Sequence, residues 1–397
     1  MKFCVVIMDG ASGWPLPSHD NRTCLELAHT PYLDKMAREG YMGMAVTVPK
    51  GMEPGSAPAC MSVMGYDPAR YYKGRSAIEA RSMGIPLEPG SVAFRCNFVT
   101  VIDGKMASYN AGHISTEESE QLIRALNDSL GTESLHFYTG VSYRHICKIS
   151  GREELASIVC TPPHDISGKS IGDYIPTGVG ADYLLELMEK SKDILKNNPV
   201  NTARIKAGKL PANMIWLFWP SGQIPDMPLF KSKYGLDAAL TSGVDLLRGL
   251  GMMLGMDILD IPGVTDQLNN DYAGQINGAL AALKNRDIVF VHIEAPDEMG
   301  HKGSVEEKIQ AIEYIDSEVI ARIGVLKDKD LKVLIMPDHP TPIEIKTHFA
   351  EPVPFLIWGG ATIPNGCRRF TEVEAKRTGV VIDPGYKLME QFIINNI

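Results

Sequence analysis

The chain has no apolar stretch approaching the ~20 residues that a membrane-spanning helix needs, which excludes a transmembrane protein of that kind. Its opening, Met1 to Gly10, is too short in its apolar part for a signal peptide and lacks a small-residue cleavage site. There is no C-x-x-C pair. The seven cysteines (Cys4, Cys24, Cys60, Cys96, Cys147, Cys160, Cys367) are odd in number and scattered, the usage expected of a reduced, cytoplasmic protein. There is no excess of basic charge: the formal net charge of −9 argues against a nucleic-acid partner, although local Arg and Lys residues can still hold an anionic substrate. A Walker loop is also missing, since Gly168-Lys169-Ser170 has Pro163 where the first glycine should stand. Low-complexity tracts and internal repeats are absent. What remains is an ordinary globular composition, 44% hydrophobic and 22% charged, on 397 residues. That length suits two domains, because single cores stop growing at roughly 250–300 residues.

Four short apolar runs lie next to residues that bind metals well. Val5-Val6-Ile7-Met8 runs into Asp9, and Ile288-Val289-Phe290-Val291 is followed by Asp297 and His301. Val333-Leu334-Ile335-Met336 leads to Asp338-His339, and Pro352 to Ile357 lies just after His348. Such runs, bounded by Pro, Gly and Asp, read as buried strands of a parallel sheet. Ligands of open α/β sheets gather beyond the carboxyl ends of the strands, so these residues predict one metal-containing active site.

Between the runs, helices are expected from Thr30-Pro31 as cap and first position, and from Ser56 to Met64. Further helices are read over Thr116 to Ser129 behind the capping box Ser115-x-x-Glu118, and over Ala181 to Asn197. Asp237 to Leu254, Tyr272 to Leu283 and a long segment opened by Ser304-x-x-Glu307 are also expected to be helical. Residues 91–102, 143–150 and Met214 to Trp219 read as strands. The βα alternation is interrupted in the middle of the chain. Residues 1–75 plus 228–397 are therefore expected to form the metal-binding core, and 76–227 an inserted domain.

Asp297 and His301 are four apart, so on one helical turn they share a face. Asp338-His339, between Pro337 and Pro340, sits in a rigid turn that can aim both side chains inward. Several Asp/His sites in one frame fit a two-metal oxygen/nitrogen centre for Mn²⁺ or Zn²⁺ rather than a thiolate site. Two-metal centres commonly handle phosphoryl groups. Ser56, after Gly55 at a helix N-terminus, is the leading nucleophile candidate, and its alternative role is simply that of an N-cap. His19, His29, His136 and His145 have no motif context and His292 lies inside a strand, so these five are read as structural.

Taken together, Asp9-Gly10, Gly55-Ser56 with Met64-Gly65-Tyr66-Asp67-Pro68, Ala295-Pro296-Asp297-Glu298-x-Gly300-His301, Pro337-Asp338-His339-Pro340-Thr341-Pro342 and Lys346-Thr347-His348 with Pro352-Val353-Pro354-Phe355 resemble the cofactor-independent phosphoglycerate mutases. The closer likeness is to the archaeal-type branch, within the alkaline phosphatase superfamily. The resemblance runs from residue 5 to about 360. It implies an α/β fold, an alkaline-phosphatase-like, mostly parallel sheet flanked by helices, carrying an inserted smaller α/β domain. It implies a glycolytic isomerase that interconverts 3-phosphoglycerate and 2-phosphoglycerate through phosphoserine on Ser56. Two divalent ions, Mn²⁺ or Zn²⁺ with Co²⁺ as a further option, are implied, and no bisphosphoglycerate. One ion would be held by Asp297, His301 and His348, the other by Asp9, Ser56, Asp338 and His339. Lys233 resembles the family's lysine that neutralises the transferring phosphate. The insert would hold the small phosphorylated hydroxy acid, with Arg75, Arg95, His113, His164, Asp165 and Arg204 as candidates.

The chain departs from the family in two places. Ala57-Pro58 follow Ser56 where an acidic residue is usual. In the insert, His113 replaces an arginine, and Trp216 to Gln223 replaces a stretch ending in Arg-Gly-x-Gly. The latter segment is similar to that of a bacterial side branch proposed to phosphorylate homoserine, so a homoserine or other hydroxy-acid phosphotransferase is the alternative expectation.

Overall fold

The computed structural model describes residues 1–224, 226–326 and 330–394. In chain order its strands are β1 (Lys2–Met8), β2 (Tyr41–Ala45), β3 (Val92–Ile102), β4 (Lys105–Ser108), β5 (Leu135–Tyr138), β6 (Arg144–Ile149) and β7 (Met214–Ser221). Then follow β8 (Ala238–Thr241), β9 (Asp257–Ile258), β10 (Ile288–Ile293), β11 (Leu331–Met336), β12 (Val353–Gly359) and β13 (Val381–Ile382). The chain divides into two compact units, Met1–Tyr72 with Asp226–Ile397, and Lys73–Pro225.

The first unit is built on an eight-stranded sheet of order β13-β2-β12-β11-β1-β10-β8-β9. β11, β1, β10, β8 and β9 are mutually parallel. Cys4 through Met8 and Ile288 through Val291 are buried on both faces, which is why these runs are continuously apolar rather than alternating. β12 departs from the expected parallel arrangement, pairing antiparallel with both β11 and β2. The reversal brings the start of β12 to the edge where the parallel strands end, so His348, just before β12, arrives beside residues that follow β1, β10 and β11. An apolar run carries no sign of strand direction, so only the pairing reveals this.

Two helical expectations change. Residues 238–241, read as the first turn of a helix from Asp237, form β8, and the helix starts at Asp245. A buried four-residue apolar run is compatible with either state, and pairing with β10 decides it. The segment opened by Ser304 is α-helical over Val305–Tyr314 and then widens to a π-helical stretch over Ile315–Ile320. That stretch carries Asp316, whose carboxylate accepts from the amides of Leu33 (2.7 Å) and Tyr32 (3.3 Å). The helix Pro31–Glu39 is thus capped by a distant aspartate, while Thr30 makes no cap bond. Burial pushes the Asp316 carboxyl up to about 6 although both amides favour its charged form. By contrast, the capping box of Ser115 and Glu118 forms in full on the helix Thr116–Leu130.

The second unit is a five-stranded sheet, with β4-β3-β6-β5 in order and β7 also paired to β3, all antiparallel. Helices Thr116–Leu130 and Ala181–Lys196 pack Leu122, Ile123, Leu126, Leu184 and Leu187 into its own core with Phe94, Phe98 and Trp216. Inside it His145 is buried, with Nδ1 accepting from the Gly140 amide at 3.1 Å and Nε2 unpartnered. Burial, then the charge of Arg95, holds the ring down at about 3. A folded value below the unfolded ~6.5 means that the stability is present above pH ~6.5 and is lost as pH falls toward that value. Denaturant titrations from pH 6.5 to 3 should therefore show wild type losing up to ~1.4 kcal/mol per pH unit more than His145→Gln. Parallel acid limbs would show that His145 is not buried neutral.

Candidate active site

Asp9 follows β1, its amide donating to the carbonyl of Ile293 at the end of β10 (3.0 Å). Gly10 has φ +60, and a Cβ there would lie 2.4 Å from Asp297 Oδ1 and 2.6 Å from Thr341 Oγ1. Only glycine lets the three strand-end loops close together here. The Gly10 amide donates to Asp338 Oδ1 (3.2 Å), as does that of His339 (2.8 Å). Thr47, after β2, donates to the Asp338 carbonyl (2.5 Å), and Cys60 Sγ lies 3.4 Å from Asp338 Oδ2.

His339 Nε2 sits 3.4 Å from Asp9 Oδ1, 3.4 Å from Asp338 Oδ2 and 3.3 Å from Ser56 Oγ. Beside it, on the helix Ala295–Lys302, Asp297 and His301 share a face as their spacing requires, with His301 Nε2 3.0 Å from Asp297 Oδ2. His348 Nε2 is 3.6 Å from the same oxygen and 3.0 Å from His301 Nε2. The Thr341 hydroxyl donates to Asp297 Oδ1. Donor atoms of Asp297, His339 and His348 lie within 4.8 Å of one another, as do those of Asp9, Asp338 and His339.

The electrostatics of this cluster ask for cations. Asp9, Glu294, Asp297 and Asp338 are buried together. Burial, then the Asp338 charge, raises Asp9 well above the carboxylate range, and burial, then Asp9, does the same to Glu294. Burial would raise Asp297 too, but its bonds from His301 and His348 hold it well below the usual value. Burial pulls the His301 ring down, yet Asp297 overrides it and pushes the ring up to about 9. His339 is held at about 4 by burial. Among the described residues Asp9 Oδ1 and Glu294 Oε2 are buried without a hydrogen bond, with His339 Nε2 3.4 Å from the first and His292 Nε2 3.5 Å from the second. His301 Nδ1 donates to the Lys346 carbonyl (2.9 Å), which leaves Nε2 to face His348 Nε2 and Asp297. Facing ring nitrogens, a buried carboxylate oxygen without a hydrogen bond and a donor set dominated by oxygen and nitrogen, with Cys60 Sγ beside it, fit divalent ions. The amino group of Lys308 lies buried behind them, donating to the carbonyls of Thr341 (2.7 Å) and Ser12 (3.2 Å), and burial pulls its pKa below the usual lysine range.

Ser56 is the first residue of the helix Ser56–Val63, whose N-cap is Gly55. Its hydroxyl makes no capping bond and points to His339, so the N-cap alternative does not describe it. Lys233 is not brought to the cluster. Its ammonium donates to the Gly65 carbonyl and lies over the rings of Tyr66 (4.4 Å) and Tyr234 (5.1 Å). That is the opposite end of the Ser56 helix, ~12 Å away along eight residues. A lysine beside a tyrosine gives no local hint of which carbonyl it will reach.

Within the second unit, Arg75 and Arg95 are joined by Glu79, which accepts from Arg75 Nε (2.7 Å) and from Arg95. Burial would raise Glu79, but the charges of Arg95 and Arg75 hold it below the usual range. The Arg75 guanidinium lies 4.7 Å over the ring of Trp219, a residue with φ +50, and His164 packs edge-on to that ring at 5.9 Å. Arg75, Arg95 and His164 thus form one neighbourhood around Trp219, with Asp165 Oδ1 3.6 Å from His164 Nε2. His113 stands apart in a strained turn (φ +53), its Nδ1 3.4 Å from Asn110. Arg204 is fully buried and its guanidinium donates to Leu210 O (2.9 Å), Glu118 (2.5 Å), Ala111 O (2.6 Å) and Gly112 O (3.4 Å). Its part in this structure is to brace the turn that carries His113, leaving no guanidinium edge for a ligand. Residues not anticipated from sequence are Glu294, Lys308, Thr341 and, despite its reading as structural, His292, which lies 2.7 Å from Asp9 Oδ2.

The sheet, and the gathering of serine, carboxylates and imidazoles at one edge of it, define an α/β protein with a candidate metal-binding active site. A family model described as 2,3-bisphosphoglycerate-independent phosphoglycerate mutase matches residues 37–201. The protein of that name from Methanosarcina acetivorans is 46% identical over 380 residues, 95% of each chain. That from Methanothrix thermoacetophila is 46% identical over 396 residues, covering 99% of this chain and 100% of its own. Among solved structures, a Pyrococcus horikoshii protein superposes with TM-score 0.83 at 26% identity, covering 98% of this chain and 96% of that one. The cofactor-independent phosphoglycerate mutase of Thermoplasma acidophilum does so with TM-score 0.67 at 26% identity over 100% of both. The chain belongs to the 2,3-bisphosphoglycerate-independent phosphoglycerate mutase family.

Proposed function

We propose that this enzyme interconverts 3-phosphoglycerate and 2-phosphoglycerate by passing the phosphoryl group through Ser56, without bisphosphoglycerate. The observation that carries the reading is the Ser56 hydroxyl, unspent on its own helix and 3.3 Å from His339 Nε2 in the donor cluster. The ions would be held by Asp297, His301 and His348 and by Asp9, Asp338, His339 and Ser56. When bound, they would neutralise phosphoryl oxygens and lower the pKa of the serine hydroxyl, and Mn²⁺, Zn²⁺ and Co²⁺ all suit this donor set.

In the forward half-reaction Ser56 Oγ bonds to phosphorus as the bond to the glycerate oxygen breaks. The serine proton ends on that leaving oxygen, giving phosphoserine and free glycerate. The neighbouring glycerate hydroxyl then takes the phosphoryl group, returning the proton to Ser56. The first amides of the Ser56 helix have no helical acceptor, so they suit the anionic group that Ser56 would carry. In the second unit Arg75 and Arg95 suit the substrate's anionic oxygens, because Glu79 fixes their planes without cancelling both charges.

A coupled assay for 2-phosphoglycerate from 3-phosphoglycerate, with added Mn²⁺ and no bisphosphoglycerate, should show turnover. Absence of turnover from folded, metal-loaded protein would sink the mutase reading. Homoserine with a nucleotide donor would then be the substrate to try, given the Trp216 to Gln223 segment.

A further inference from the structure

Asp9, His292 and Ser242 form a row across three neighbouring strand ends, those of β1, β10 and β8. His292 lies within β10, its backbone in register with Ile7 of β1, and Ser242 directly follows β8. His292 and Ser242 are buried, and neither touches the remaining candidate ligands by any bond described above.

The hydrogen positions along the row follow from its Asp9 end. His292 Nε2 lies 2.7 Å from Asp9 Oδ2, with Glu294 Oε2 next at 3.5 Å. As a cation ligand Asp9 is ionised, so Oδ2 can only accept and the ring hydrogen sits on Nε2. Nδ1 then accepts from the Ser242 hydroxyl, 2.9 Å away, while Ser242 Oγ accepts from the Val244 amide (3.0 Å). The strand cannot slide to relax the contact, because the His292 carbonyl accepts from Gln275 Nε2 (2.9 Å), and Gln275 Oε1 is itself held by Asn270 (2.8 Å).

We propose that Ser242 and His292 are positioning residues that dedicate one oxygen of Asp9 to the cation site. The proposal rests on the metal reading above. With Oδ2 held by the imidazole, turning Asp9 about its terminal torsion would cost that bond. Oδ1, buried and without a hydrogen bond, faces His339 Nε2 at 3.4 Å. Partners of this kind around a ligating group typically contribute 10- to 100-fold to metal affinity. The effect falls on the Asp9/Asp338/His339 set alone, because Asp297 is oriented by Thr341 and His301 by the Lys346 carbonyl.

The test strips the full-length protein with a chelator and titrates Co²⁺ by calorimetry and visible absorption, with thermal melts of each apo variant to confirm folding. Wild type should take two equivalents. His292→Phe and Ser242→Ala should keep one at wild-type affinity and bind the other 10- to 100-fold more weakly. His292→Gln, whose amide can still donate to Oδ2, and Ser242→Thr should recover most of the loss. In Zn²⁺-loaded wild type, ¹⁵N NMR should show His292 protonated at Nε2 only. Tight binding of both ions by folded His292→Phe, equal weakening of both sites, or a proton on Nδ1 would each overturn the relay. If wild type bound no ion at Asp9, the metal reading would fall with it; two ions in wild type with unaffected variants would remove the relay alone.

Discussion

Ser56→Ala is expected to abolish phosphoryl transfer, by at least ~10⁴-fold, while leaving the protein folded and the Asp297/His301/His348 set able to bind its ion. Loss of a nucleophile that carries a covalent intermediate removes the pathway itself, and such losses reach ~10⁴–10⁶-fold in well-studied hydrolases. Folding is spared because Ser56 is half-buried at the first helical position and caps nothing, whereas Gly55 holds the cap. Alanine at that position suits the helix at least as well. The measurement is the coupled mutase assay run beside metal titration, with mass spectrometry of acid-quenched enzyme for a phosphate adduct on the Ser56 peptide. Adduct in wild type and none in the variant is the expected pair. Appreciable turnover by the variant would exclude the phosphoserine route while leaving the cluster of donor side chains as described.

Much of the architecture is legible from local patterns. Buried strands announce themselves by unbroken apolar runs, and each run beside Asp9, Asp297, Asp338 or His348 ends or begins at the same sheet edge. Their convergence follows once the sheet forms. Strand direction is not written locally, so the antiparallel β12 is visible only through its pairing. The parts that stay hidden are those whose meaning comes from contacts across hundreds of residues. His292 sits in Ile288–Ile293, a strand whose every residue is buried, and nothing nearby says that its ring will meet Asp9, 283 positions away. The one available signal is a lone imidazole inside a wholly apolar strand, which must find a partner when buried. Arg204 shows the converse. An arginine reads the same from sequence whether it holds a ligand or braces a turn, and only its burial and internal hydrogen bonds separate the two. Lys308 is legible in neither way, because a long polar side chain on an amphipathic helix is ordinarily solvated rather than fully buried.

Removal of the ions is expected to stop turnover completely, and Asp297→Asn should do the same at ordinary metal concentrations. Asp297 Oδ2 is the atom common to His301 and His348, so an amide there breaks the geometry of both imidazoles at once. Chelation should also destabilise the fold in a way that depends on pH. Without cations, His301 owes its value of about 9 to Asp297. A folded pKa above the unfolded ~6.5 gives stability that is fully present below pH ~6.5 and is lost as pH rises through 9. Asp9 and Glu294, raised by burial and by neighbouring carboxylates, act in the same direction, since the apo site tolerates them best when protonated. His339, held near 4, is already neutral above pH 7 and adds no opposing slope there. The His301 contribution is at most ~1.4 kcal/mol per pH unit, reduced further by solvent at a ring 34% exposed. Metal binding itself strengthens over the same range as competing protons leave. Thermal melts of chelated and loaded enzyme should therefore diverge steadily from pH 7 to 9, with the loaded form nearly flat and the chelated form falling. Parallel curves would mean that the imidazoles and carboxylates titrate independently of the ions, and that the cluster is not where the metals bind.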